Sequence, residues 1–317
     1  MQLLSQVIDR LILLTKSILP LVILGIIGGN ILIEFGLTKK LSKPIKPFLR
    51  ISNLPDKTSA PFITLIASGA AAYSMFSNFY EKNYYNEKQI IVAVISSTFF
   101  SYLGHIPTYY LPFVLPVLGL KTGLMYLSIE LFVGLMITLT GALIGYRKLN
   151  EPNEEKDDIR GFEVKHDWRK KIKSGTKKSI PTLKKIVPRL VIIYLVASIA
   201  LSLNLFDPIT NFSEPVTKLV GLPGESSTII ALRFVDVYSS IILAGNLLSE
   251  GVLTSIQIIL ALLVGGIISI GIFFFRYSLP EDIAYFGAET GTKIALISLI
   301  AELVFRVFII LFVFIIF

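Results

Sequence analysis

Eight apolar stretches of about twenty residues punctuate the chain, at 18–37, 58–80, 89–104, 123–146, 188–206, 226–248, 254–275 and 293–317. Each is near the length an α-helix needs to cross a hydrocarbon core about 30 Å thick. Between the fourth and fifth the apolar period disappears over 147–187. That stretch opens on Arg147-Lys148, passes through Asp157-Asp158 and continues into Trp168-Arg-Lys-Lys. The pattern predicts an all-α integral membrane protein with a membrane unit at 1–146, a basic, solvated linker at 147–187 and a second membrane unit at 188–317.

The two units repeat one another. Sliding the second against the first by 168 positions places Pro20 on Pro188, Pro47 on Pro215 and Leu54-Pro55 on Leu222-Pro223. The same offset places Asn78 on Asn246, Gln89 on Gln257, Leu111-Pro112 on Leu279-Pro280 and Gly119 on Gly287. Apolar identities arise from composition alone, but a shared proline or glycine marks a shared break or turn in the backbone. The chain reads as a duplication.

Charge sets the relative orientation. After its first apolar stretch the first copy carries Lys39, Lys40, Lys43, Lys46 and Arg50, whereas the second carries Asp207, Glu214 and only Lys218. Basic loops stay on the cytoplasmic side. The basic patch and the basic linker therefore belong inside, and each copy crosses an odd number of times. Of the four stretches per copy, 58–80 and 226–248 are the ones that follow a Leu-Pro break and are rich in small and polar residues. They are expected to be re-entrant or broken, with full crossing as the alternative. The expectation is two inverted-topology repeats, each of three transmembrane helices plus one re-entrant or broken helix, an architecture with its site at the repeat interface.

Composition closes other routes. Mean hydropathy is +0.72 and charged residues are 16% of the chain, against about 25% in soluble domains. There is no cysteine, so there is no thiolate metal site, and His105 and His166 are too few for a zinc site. The net charge of +8 is concentrated beside apolar stretches, as a cytoplasmic anchor on the bilayer and not as a nucleic-acid surface. Asp9, Arg10 and Lys16 precede the first stretch and no A-x-A exit follows it, so it reads as a retained span of a multi-pass cell-membrane protein. No G-x-S-x-G, H-E-x-x-H or P-loop occurs, which argues against an enzyme and requires no cofactor.

Candidate chemistry concentrates in the two special stretches. Thr58-Ser59 and Ser226-Ser227 stand where they would cap helix N-termini, with anion binding as the functional alternative. Arg233 and Asp236, three apart, share a helical face and read either as a salt bridge or as a ligand and coupling site. Candidate substrate-binding residues are thus Ser59, Ser68, Tyr73 and Asn78 with Ser227, Arg233, Asp236, Ser239 and Asn246. Asn78 and Asn246 also suit helix C-caps. Asp236, Glu130 and Glu302 are candidates for coupling to a proton or sodium ion. Glu302 has Arg306 four residues on and can satisfy itself structurally, Glu130 has no charged neighbour within a turn, and His105 falls in a Tyr/Pro-rich loop.

The Leu54-Pro55 turn, the small-residue run from Ser68 to Asn78, and Leu111-Pro112 followed by Gly119 resemble the Gate (nucleoside recognition) family of multi-pass membrane proteins. The resemblance spans both copies and implies a pore- or site-forming segment with transport as the activity. The cysteine of iron-transporting Gate segments is absent, as are the hairpin Glu and Asn motifs of nucleoside transporters. The resemblance therefore leaves the solute open. Two functions stand against each other. One is a secondary transporter or permease for a small polar or anionic solute, working by alternating access and compatible with a homo-oligomer. The other is a structural or regulatory membrane protein that recruits a partner or lipid through its basic linker.

Overall fold

A computed structural model describes residues 8, 11–12, 14–34, 45–150, 168–203, 215, 217–218 and 220–316, and every regular element among them is helical. Lys39, Lys40, Lys43, Asp157, Asp158, His166, Asp207 and Glu214, on which part of the charge argument stands, lie outside the described residues. In the first copy the elements are α1 (Leu19–Glu34), α2 (Ile45–Ile51), α3 (Ser59–Ala67), α4 (Gly69–Glu81), α5 (Glu87–Ser96), α6 (Thr98–His105), a π-helical stretch (Ile106–Val114) and α7 (Leu115–Lys148). Then come α8 (Trp168–Ser202), α9 (Ser226–Val235), α10 (Val237–Ser249), α11 (Ser255–Phe273), a second π-helical stretch (Phe274–Ser278), α12 (Leu279–Phe286) and α13 (Ala288–Ile316). By length and composition, the described residues include three helices fit to cross a membrane: Glu87–Lys148, Ser255–Phe286 and Ala288–Ile315.

Local chemistry explains why these elements start and stop where they do, and it does so twice. Asn86 and Gln89 form a reciprocal capping box at the start of α5; Thr254 and Gln257 form the same box at the start of α11. Both stretches at 58–80 and 226–248 are broken in the middle. At Ser68 the backbone swings to φ −159°, ψ 111°, and at Asp236 to φ −157°, ψ 130°, before a new helix begins. Pro107 and Pro112 lie within the first π-helical stretch, where a missing N–H and a bulky ring disfavour regular α-helical bonding. Pro280 follows the second. Gly119 and Gly287 take φ +73° and +80°, open to glycine and strained for other residues, and each breaks its helix there.

Contacts between the copies are reciprocal. Ser77 Oγ of α4 donates to the carbonyl of Tyr285 in α12 at 2.7 Å. With roles exchanged, Gly245 of α10 lies so close to Val117 of α7 that a Cβ there would stand 2.6 Å from the Val117 carbonyl oxygen. Ser77 and Gly245 are 168 apart, as are Val117 and Tyr285. Within each copy, Asn53 donates to the carbonyls of Tyr146 and Leu149 (3.3 and 3.0 Å), and its counterpart Gly221 lies against the ring of Phe314, the counterpart of Tyr146. Helices α1 and α8 pack antiparallel, since Ile26 meets Ser179 while Ile31 meets Gly175.

The linker departs from expectation. Residues 168–187 are not an aperiodic connector but the first half of α8, seated on α1 through the small residues Gly175 and Ser179. Small side chains let two backbones approach, and this contact fixes a helix whose other faces are lysine-rich. His105, expected in a loop, is the last residue of α6 and runs on into the π-helical stretch.

Helix α13 shows how the outer surface is made. Ile300, Val304, Val307, Phe308, Leu311, Phe312 and Ile315 are exposed along one face, as suits contact with lipid. Its opposite face carries Ser298, Glu302 and Arg306, four residues apart, toward the interior. A test of the close packing follows from the glycines. Gly245→Ala is expected to cost about 1–3 kcal/mol in unfolding measurements in detergent, because backbone must move. Gly69→Ala, where a Cβ meets nothing within 4 Å, should leave stability unchanged or raise it slightly.

Candidate functional site

Where the two copies meet there is a cavity of about 630 Å3. Its lining includes four pairs 168 residues apart: Tyr102 with Ile270, His105 with Phe273, Tyr110 with Ser278, and Glu130 with Ser298. Further lining comes from Tyr109, Tyr126, Arg233, Tyr238, Glu302 and Arg306. The size matches a pocket for a small organic solute.

One end is a charge cluster. Arg306 Nη1 and Nη2 donate to the two carboxylate oxygens of Glu130, both at 2.8 Å, in a bidentate pair. Arg306 Nε donates to Glu302 Oε1 at 3.1 Å, and the Tyr102 hydroxyl reaches the same oxygen at 3.5 Å. Glu130 and Arg306 are 2% and 7% exposed, so their attraction is poorly screened. The Glu302 side chain is 32% exposed, toward the cavity. Two carboxylates around one guanidinium leave a surplus of one negative charge.

Tyr126 stands one helical turn before Glu130 on α7 and serves the second guanidinium. Arg233 Nη2 donates to Tyr126 Oη at 3.1 Å and Nη1 to Ser240 Oγ at 3.4 Å. Both arginines pass close to the Gly265-Gly266 pair of α11. A Cβ at Gly265 would lie 2.9 Å from Arg233 Cβ, and one at Gly266 would lie 3.4 Å from Arg306 Nη1. At Gly265 the missing side chain leaves room for the stem of Arg233. Above Arg233 the rings of Tyr109, Phe113 and Tyr238 form a cluster, with Tyr238 edge-on to both others at 5.7 and 4.8 Å between centroids.

Three of the residues singled out in the sequence, Arg233, Glu130 and Glu302, line this cavity. One expectation about them needs correcting. Arg233 and Asp236 do not share a helical face, because α9 ends at Val235 and the chain is extended at Asp236. Arg233 turns to Tyr126 and Ser240, while Asp236 caps α10, accepting from Ser239 N at 2.8 Å and Ser239 Oγ at 2.9 Å. Glu130, with no charged neighbour within a turn of its own helix, finds one through space: Arg306, 176 residues on, grips both its oxygens.

The remaining candidates sit elsewhere. Ser68 caps α4 as Asp236 caps α10, accepting from Ala71 N at 3.3 Å. Ser59 and Ser227 are buried, and their hydroxyls donate backward to the carbonyls of Asp56 and Gly224. The N-cap positions of α3 and α9 are Thr58 and Glu225, neither with a side-chain cap, so the predicted hydroxyl caps do not form. Tyr73 packs against the rings of Tyr285 and Phe286 across the boundary between the copies. Asn78 and Asn246 end α4 and α10 through their backbone carbonyls, which accept from Lys82 N and Glu250 N. Among the described residues no group of three or more His, Asp or Glu is gathered to hold a metal ion.

Comparison with known proteins now gives the frame. The family model described as "Gate: Nucleoside recognition" matches residues 15–116. The chain is 32% identical over 309 residues to uncharacterized protein MJ0880 of Methanocaldococcus jannaschii, covering 96% of this chain and 98% of that one. The chain belongs to the Gate family. Two further uncharacterized proteins of that organism, MJ0871 and MJ1556, are 28% and 27% identical, with coverage of 89% and 90% of this chain and 87% and 90% of theirs. No solved structure matches. The Gate match contains Tyr102, His105, Tyr109 and Tyr110, and ends before Glu130 and both arginines.

The geometry makes the cluster testable in this Gate protein. Glu130→Ala strands a buried guanidinium and is expected to cost about 3–5 kcal/mol, read by thermal unfolding in detergent. Replacing Glu130 and Arg306 together by methionine should recover most of that loss. Equal damage from the single and double variants would show that the pair is not a unit.

Proposed function

We propose that this Gate-family membrane protein is a secondary transporter for a small polar solute, which it moves by alternating access between two inverted halves. The observation that carries the reading is the lining of the cavity by residues 168 apart. A site made of equivalent positions from both copies lies where the copies move against each other, so one rocking motion exposes it to either side in turn. Broken helices at Ser68 and Asp236 suit the same reading, since irregular backbone at membrane depth persists only when buried in protein or facing a wet cavity.

Inversion, with three crossings and one broken helix per copy, is supported by the direction of the helices. Residues 187–202 of α8 are the second-copy counterpart of α1, and α8 runs antiparallel to α1. Asn53, just after the basic patch, touches the end of α7 from which the linker departs, so both belong on the cytoplasmic side. Because the chain contains no cysteine, single cysteines report topology cleanly. Arg50→Cys and Arg169→Cys should label with an impermeant maleimide from one face of the membrane and Lys218→Cys from the other. Labelling of Arg50→Cys and Lys218→Cys from the same face contradicts inversion.

The surplus negative charge at Glu130, Arg306 and Glu302 is the place for a coupling cation, a proton or sodium ion, with Glu302 as its accessible oxygen donor. In proteoliposomes, Glu302→Gln should abolish acceleration of uptake by an ion gradient while exchange of solute for solute continues. Gradient-driven uptake that survives the substitution removes Glu302 from coupling.

A further inference from the structure

We infer that the solute is a monocarboxylate on an aromatic or apolar body, and that Arg233 receives its oxyanion. The inference rests on the reading of the cavity as the solute's site and narrows it. It starts from the difference between the two arginines. Arg306 uses all three nitrogens on two carboxylates. Arg233 is as buried, 8% exposed, yet both of its hydrogen bonds go to neutral hydroxyls, and its Nε has no partner among the described residues. No carboxylate stands within ion-pair distance of it among those residues.

A desolvated guanidinium with only neutral partners is costly, and two of its five donors satisfied is a poor return. An arriving oxyanion supplies what is missing: the countercharge and acceptors in the planar arrangement a guanidinium matches. The Tyr109 hydroxyl is a second buried donor without a partner among the described residues, on the wall that Tyr109 shares with Tyr238. The ring of Tyr238 stands against Tyr109, and Val237, Ile270, Phe273 and Phe274 add apolar surface to the same cavity. That suits an apolar body behind the carboxylate.

The neighbouring cluster limits the charge. Glu130 stands one turn of α7 from the Tyr126 that holds Arg233, and with Glu302 it presents a net negative charge to the same cavity. A single negative charge matches Arg233 while a cation at Glu302 matches the surplus there, so the loaded site is neutral; a second negative charge would face those carboxylates. A phosphate monoester, at about −1.5 to −2 near pH 7, is therefore disfavoured. A neutral nucleoside would leave Arg233 without a countercharge.

The test is thermal unfolding of the purified full-length chain in detergent with benzoate, benzamide, phenyl phosphate and uridine, since a ligand that binds the folded state raises its Tm. Benzoate should stabilise, while its uncharged counterpart benzamide and uridine should not, and phenyl phosphate should act less than benzoate. Arg233→Gln should weaken benzoate binding about tenfold to a hundredfold, as expected for a charged hydrogen-bonding pair. If Arg233→Gln does not fold, Tyr109→Phe, which keeps the ring, should still weaken benzoate. Benzamide or uridine matching benzoate, phenyl phosphate exceeding it, no response to benzoate, or a benzoate response indifferent to Arg233→Gln overturns the inference. Uptake of a neutral solute unaffected by Arg233→Gln would overturn it and leave transport standing; benzoate binding without movement across proteoliposomes would do the reverse.

Discussion

A helix that stops inside a bilayer leaves backbone N–H and C=O groups without partners, and hydrocarbon offers none. Two helical stretches of this molecule break in mid-run, at Ser68 and Asp236, and at each the chain supplies its own cap. Each break residue folds its side chain onto the N–H three positions on, so the new helix begins capped. The copies then brace one another. Ser77 of α4 reaches across to α12, and Gly245 of α10 admits α7 at a distance no larger residue allows. These two contacts, at equivalent positions of the repeat, join the halves.

The duplication supplies a two-fold scaffold; the charges do not follow it. Arg233, Glu302 and Arg306 of the second copy align with Leu65, Gly134 and Thr138 of the first, and Glu130 of the first aligns with Ser298 of the second. The asymmetry is not scattered. All four charged groups line one cavity, where Tyr126 and Glu130 on a single helix serve one arginine each. Like charges gathered in one poorly solvated cavity would repel, a cost that mixed carboxylates and guanidiniums avoid. Placing carboxylate and guanidinium in non-equivalent positions lets each copy answer the other.

Much of the backbone was legible in the residues, for a physical reason. Prolines, glycines and capping pairs act locally, so Leu54-Pro55, Gln89 and Gly119 announce a turn, a helix start and a break without knowledge of the partner. Side-chain pairing is not local. Arg233 and Asp236 look like a pair only if the helix continues between them, and the break at Asp236 turns the acid into a cap. Glu130 looks solitary because its partner is 176 residues away. The run 168–187 reads as a polar linker because its lysines hide the spacing of Gly175 and Ser179, the two small residues that seat it on α1.

The same logic explains why a family resemblance carries the scaffold further than the chemistry. The matched region, 15–116, holds the first break, the first capping box and the tyrosines of one cavity wall. These are features that a broken helix and an internal cavity demand whatever the cavity holds. The charged groups of the cavity, Arg233 above all, stand outside it. A scaffold of this kind can keep its breaks while the charges on its walls change, because each break is capped locally, by Ser68 and by Asp236. Solute identity therefore has to be argued from the cavity's own donors and acceptors.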